Sequence, residues 1–233
     1  MEKAKLLNFI SKYSLNGLCN TTKWVAKNRS LLTNFITIDN STLGLVMCKG
    51  VNFPEGEYGI YNTKSLSKIL SILQTEFEVN VGSGKESFEF KDDSLEAKFM
   101  LCNLEVIANP PQANDIPEPD FTIDVNSIFI DRFIKSFAAI EEATTFSFVT
   151  TNGVVSLIIN YSANNSDRII IPTDQKYKID QPLPFNANVL KEIFIANKDC
   201  TSGSISVSSA GIMICNFEGE DIRSKYFIPM IEN

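Results

Sequence analysis

The chain has 233 residues, a length that fits one large domain or two of about 110 residues each. Its 21 basic residues against 28 acidic ones leave a net charge of −7, which excludes a uniformly basic nucleic-acid binder but not a local basic surface. Histidine is absent, and with it Ser-His-Asp triads, Cys-His dyads and histidine metal clusters.

In chain order, a helix is expected over Ala4–Tyr13, with Leu6, Phe9, Ile10 and Tyr13 on one face. Strands follow at Phe35–Ile38 and Leu43–Cys48. A second helix over Lys64–Leu73 turns Leu66, Ile69, Leu70 and Leu73 inward, and strands come next at Phe77–Val81, Ser87–Phe90 and Leu95–Leu101. The proline-rich segment 109–119 is the interdomain linker, because proline fixes φ and removes a donor. It separates an N-terminal domain, 1–108, from a C-terminal domain, 120–233.

The second half repeats the plan. Strands are expected at Phe121–Val125, Thr145–Val149, Val154–Tyr161, Arg168–Ile171, Ser204–Val207, Ile212–Phe217 and Lys225–Ile228, and helices over Ser127–Ile140 and Asn188–Asn197. Leu6, Phe9, Ile10 and Tyr13 map onto Ile130, Phe133, Ile134 and Phe137 by a shift of 124. The same shift carries Tyr61-Asn62 onto Phe185-Asn186 and Leu66 onto Leu190. Such a constant shift points to an α+β protein made of two duplicated units, each burying its helices against sheet. The five cysteines make no CxxC pair and read as reduced, mostly buried thiols of a cytoplasmic protein. No segment is long and apolar enough for a membrane span.

The polar faces of the four helices carry cations at helical spacing: Lys5 and Lys12, Lys64 and Lys68, Arg132 and Lys135, Lys191 and Lys198. Asp131 and Glu192 interrupt them. A basic strip on an acidic protein contacts phosphates without reading sequence. No nucleophile elbow, P-loop or GxGxxG is present, so an enzyme is not expected, nor a cofactor or a metal.

Two segments resemble a known family. Gly59-Ile60-Tyr61-Asn62-Thr63-Lys64-Ser65-Leu66-Ser67-Lys68-Ile69-Leu70 resembles the helix-start segment of eukaryotic and archaeal DNA sliding clamps, and Lys225-Tyr226-Phe227-Ile228-Pro229-Met230-Ile231-Glu232 is similar to their tail. Length and linker look closer to the T4-type phage clamps. The resemblance implies the DNA-clamp fold, with duplicated β-α-β domains whose helices line a hole and whose sheets lie outside. It implies a homotrimeric ring that encircles duplex DNA and tethers the replicative polymerase for processivity, in the host cytoplasm if the chain is phage-encoded. Lys5, Lys12, Lys64, Lys68, Arg132, Lys135, Lys191 and Lys198 then face DNA. Polymerase and clamp loader dock in a hydrophobic pocket formed by Tyr226, Ile228 and Pro229 with Ile107, Pro110, Pro111 and Ile116, and Met47 beside them. The subunit contact joins Leu95–Leu101 of one copy to Arg168–Ile171 of the next.

Residues 14–34 match nothing in that family, and Lys23, Lys27 and Arg29 are expected on a solvated loop rather than on a second DNA-contacting patch. The alternative reading of the chain is a structural β-rich viral protein, of tail or capsid, without a DNA-binding role.

Overall fold

The computed structural model describes residues 1–111, 115–162 and 167–231. The chain divides into two compact units, Met1–Gln112 with Glu220–Ser224, and Ala113–Gly219 with Lys225–Asn233. Within the linker segment, 112–114 lie outside the described residues.

Unit 1 runs α1 (Lys3–Ser14), β1 (Thr22–Lys27), β2 (Ser30–Ile36), β3 (Leu43–Lys49), β4 (Gly56–Ile60), α2 (Thr63–Ile72), β5 (Glu78–Val81), β6 (Ser87–Lys91) and β7 (Glu96–Met100). Its strands form two antiparallel arrays, β4-β1-β2-β3 and β5-β6-β7. Unit 2 runs β8 (Phe121–Val125), α3 (Ser127–Ala138), β9 (Thr145–Thr151), β10 (Val154–Ile159), β11 (Ile169–Pro172), β12 (Leu183–Asn186), α4 (Ala187–Ala196), β13 (Ser202–Ser208), β14 (Ile212–Glu218) and β15 (Ile222–Pro229). Residues of β15 up to Ser224 group with unit 1. The strands of unit 2 order as β12-β9-β10-β11 and β8-β13-β14-β15.

The duplication is visible in this plan. Both ends of α3 and of α4 stand 124 residues after those of α1 and α2. The four-stranded arrays follow the same order, with β12, β9, β10 and β11 in the places of β4, β1, β2 and β3. Even the caps repeat. Asn62 Oδ1 accepts the Ser65 N–H at 2.9 Å and Asn186 Oδ1 accepts the Val189 N–H at 3.1 Å, while Asn126 caps α3 through Phe129 N–H at 2.9 Å.

In unit 1 the core forms around Trp24. The rings of Phe9, Tyr13, Phe53 and Phe88 lie 5.5, 6.2, 5.9 and 5.9 Å from it. Unit 2 centres on Phe133, edge-on to Phe194 at 5.2 Å and to Phe146 at 5.7 Å. Edge-to-face pairs of this kind add about 0.5–1.5 kcal/mol each beyond their burial.

The expected loop at 14–34 is corrected here. Thr22–Lys27 and Ser30–Ile36 form a hairpin whose turn residues, Asn28 and Arg29, have φ of 51° and 54°. Positive φ at both central positions is the turn that matches the twist of paired strands. Lys27 and Arg29 are exposed on that hairpin, and Lys23 Nζ lies 3.6 Å from Glu57.

Candidate nucleic-acid interface and partner surface

In each unit two helices pack together, α1 with α2 and α3 with α4. Their buried stripes set which side chains reach solvent. On α2, Leu66 and Leu70 are buried, which leaves Lys64 and Lys68 exposed one turn apart. On α3, Ile130 and Phe133 are buried, and Arg132 and Lys135 are exposed. Among the described residues no carboxylate forms an ion pair with these four. Each unit therefore presents two exposed cations outside any ion pair on one helix face, with Asp131 one turn before Lys135 acting on it only through space.

The other four expected cations stand differently. Lys5 donates to Asp221 Oδ2 at 2.6 Å, and that carboxylate holds its ammonium above the ordinary value. Lys191 lies 2.9 Å from Glu192 and 5.7 Å over the Phe137 ring. Lys198 is exposed and pairs with Asp131 at 3.0 Å, which lowers the Asp131 pKa. Lys12 is corrected outright, since it is 0% exposed. Its neighbour Tyr13 is buried too, so α1 is enclosed on more than one side and the expected polar face is not free at that turn. One cation escaped the sequence reading. Lys3 Nζ donates to the Leu73 carbonyl at 2.5 Å and so caps the C-terminal end of α2.

Of the expected partner residues, Tyr226 and Ile228 are corrected as well. Strand alternation turns both inward on β15, where they are 0% and 1% exposed. Asn197 Nδ2 donates to the Tyr226 hydroxyl at 2.9 Å, which satisfies that buried oxygen. The outward positions of β15 are Arg223, Lys225, Phe227 and Pro229, with Lys225 Nζ 5.0 Å over the Phe227 ring. Phe227 was legible from the same period of two, once its phase is known.

Met47 is half-buried on the outward face of the four-stranded array of unit 1. Strand register sets it in one row with Leu32 and Val25, and exposed Leu45 lies two residues before it. The row beside it is Lys27, Ser30 and Lys49. Ile107 is buried and packs towards Gly59, while Pro110 is half-buried and Pro111 exposed. Ile116 is half-buried in unit 2.

Past Pro229 the tail is held by two backbone bonds, Met230 N–H to the Gly211 carbonyl and Ile231 N–H to the Pro184 carbonyl, both 2.9 Å. Beside it opens a groove of about 760 Å³, lined by Met230, Ile231, Pro184, Ile179 and Tyr177 among others.

Comparison with solved structures places this architecture. The chain is similar over its whole length to proliferating cell nuclear antigen from Entamoeba histolytica, with a TM-score of 0.76, 17% identity, and coverage of 100% of this chain and 97% of that one. The fold is that of the sliding clamps. A second such clamp, from A. fulgidus with the C-terminal region of FEN-1 bound, aligns with a TM-score of 0.78 at 15% identity, covering 100% and 97% of the two chains. The PCNA2–PCNA3 complex from Sulfolobus tokodaii aligns at 0.75 and 12%, covering 99% and 97%. No family model and no curated protein matches the sequence. The clamp fold expected from the two short segments thus holds for the full chain, at identities where only structure carries the likeness.

Proposed function

We propose that this chain is a sliding clamp, a non-enzymatic ring of three copies that encircles duplex DNA and tethers the replicative polymerase. The observation that carries the reading is the pair of exposed, unbridged cations on a helix of each unit, Lys64 with Lys68 and Arg132 with Lys135, within the clamp fold. Diffuse contacts of this kind hold phosphate without reading bases, which lets a ring slide. Lys198, Lys191 and Lys5 contribute after exchanging their carboxylate partners for phosphate. The structural viral alternative is not favoured, since all three structures compared above are clamps.

The ring is proposed to close through unpaired edges. Among the described strands, β7 is bonded only to β6 and β11 only to β10. Met100 and Ile170, on those strands, are 47% and 42% exposed. Apolar free edges are an aggregation hazard that pairing removes. Peptides of polymerase and clamp loader are proposed to dock on outward apolar surfaces, the Val25–Leu32–Met47 row on unit 1 and the Pro229 end with its adjoining groove on unit 2. Among the described residues no helix is long and apolar enough to cross a membrane. The proposed site of action follows from the proposed function: wherever the DNA replicates, the host cytoplasm for a phage protein.

The test is polymerase stimulation on a primed template with Lys68→Glu and Arg132→Glu combined. Stimulation falls, and the melting temperature does not. Full stimulation by that variant would contradict the DNA-facing assignment.

A further inference from the structure

The end of unit 1 where β1 turns into β2 carries cations that the helix faces do not account for. On the outward face of the four-stranded array, strand register sets Lys27 opposite Ser30 and Ser30 opposite Lys49. Arg29 occupies the turn beside them, and all three cations are exposed. Exposed Lys85, in the turn between β5 and β6, comes to the same end of the array. Its Nζ lies 3.4 Å from where a Cβ on Gly56 would stand, and Gly56 pairs with Ala26, next to Lys27. Among the described residues none of these four cations is in an ion pair. Two acids stand near. Glu55 serves the backbone, since its Oε1 accepts the Asn28 N–H at 2.9 Å and so steadies the turn. Glu86 turns its side chain towards Gly84. Four cations against two acids leave this end positive.

The rest of the face shows what kind of anion fits. Two residues further along each strand, about 7 Å away, runs the half-buried apolar row of Val25, Leu32 and Met47. The row on its far side joins Lys23, Asn34 and Leu45, and there Lys23 Nζ is 3.6 Å from Glu57. From its turn end inward the face is thus basic, then apolar, then close to neutral. A nucleic-acid backbone would engage the cations and leave the apolar row bare. A peptide with an apolar anchor and carboxylates to one side of it covers both rows.

We propose that this face binds an acidic segment of a partner protein, with its apolar side chains on Val25, Leu32 and Met47 and its Asp or Glu carboxylates on Lys27, Arg29 and Lys49. The inference rests on the peptide docking proposed above and adds to it the charge and the direction of the peptide. Lys27 and Lys49 stand two strand spacings apart, about 10 Å, which is room for two carboxylates side by side. A carboxylate 7 Å from the anchor is about two residues on in an extended segment, or about one turn on in a helix. The local sign also selects. On a chain of net charge −7, an acidic segment is repelled from most of the surface and held here.

The experiment titrates the full chain into fluorescein-labelled synthetic peptides and reads anisotropy. One peptide carries a Leu-Phe-Leu anchor followed by four glutamates, a second has glutamines in their place, and a third has lysines. The glutamate peptide binds about fivefold tighter than the glutamine one, the effect of two or three exposed ion pairs, and high salt closes the gap. Lys27→Glu with Lys49→Glu turns the preference to the lysine peptide, and the milder Lys27→Gln with Lys49→Gln abolishes the gap without reversing it. Both positions are exposed, and thermal melting confirms that each variant folds. Equal binding of the three peptides by the parent overturns the inference while leaving the apolar row as a docking surface. No binding of any peptide overturns the inference and the docking reading together. Duplex DNA affinity that falls as far in Lys27→Glu with Lys49→Glu as in Lys68→Glu with Arg132→Glu assigns these cations to DNA and overturns it as well. Polymerase stimulation, which tests the clamp reading itself, enters none of these outcomes.

Discussion

Burial pushes the Cys19 thiol up to about 12 and the Cys48 thiol up to about 11 from an ordinary 9.0. Cys215, fully buried, is raised as well. A raised thiol pKa favours the protonated folded state. That stability is complete below the unfolded value near 9.0 and drains away as pH rises through the folded values. The urea midpoint is therefore expected to hold from neutral pH to about 8.5 and to fall between about 9 and 11. Cys48→Ala lowers the midpoint but flattens that fall, and an unchanged slope would contradict the assignment. At this scale the sequence was informative about which residues are cationic or apolar, and less so about which way they point. Lys64, Lys68, Arg132 and Lys135 follow from helix phase alone, because each helix buries one clear stripe. Lys12 does not, since a second buried side of α1 arises from packing that no local period records. Tyr226 and Ile228 carry the right chemistry, but they share the face of Ile222, opposite Arg223 and Lys225, and so turn inward. The electrostatic part is testable by salt. Removing a cation that contacts phosphate reduces the slope of log affinity against log salt by about 0.9. Lys68→Ala is expected to show that reduction and Lys12→Ala is not, as measured by fluorescence anisotropy on a DNA duplex.

The helices and most strands are legible in the sequence as elements, because amphipathic stripes and β-branched alternation are strong local signals. Three strands are not, each for a reason, and of β2 only Phe35 and Ile36 are expected as strand. In β1 the buried positions are Thr22, Trp24 and Ala26, a row with one large apolar member. β4 contains two glycines, and β12 contains Pro184. Gly59 is there for space rather than for turn geometry. A Cβ at that position collides with the Cys102 carbonyl and crowds Ile107, and Cys102 N–H donates to the Gly59 carbonyl at 3.0 Å. Gly59→Ala is expected to cost about 1–3 kcal/mol in chemical denaturation. The asparagine caps give a second measure of the same scale. Asn62→Ala and Asn186→Ala are each expected to cost about 1 kcal/mol, as removal of a side-chain cap does. A loss at only one of them would show that the repeated cap is no longer equivalent in the two units.

For the molecule as a whole, the sign of the net charge and the placement of the cations belong to one design. Under the proposed function, an acidic chain that keeps exposed, unbridged cations on a helix of each unit attracts DNA to those faces and discourages it elsewhere. Apart from Asp131 on α3, its acids stand on elements other than α2 and α3, among them Glu78 on β5, Glu89 on β6 and Glu96 on β7. The duplication allows one chain to supply both partners of the proposed joint, since β7 and β11 come from different units of the same polypeptide. Docking of partner peptides belongs to this scale too. Met47→Asp with Leu32→Asp places charge in the outward apolar row and is expected to weaken binding of a polymerase-derived peptide by at least about tenfold in calorimetry, with DNA affinity unchanged. The claim that matters most is topological. The chain is assembled on a nicked circular duplex, with the proposed clamp loader where assembly requires it, freed of unbound protein by gel filtration, and the circle is then cut with a restriction enzyme. A ring stays with the closed circle and is lost from the linear product; equal retention on both would contradict encirclement.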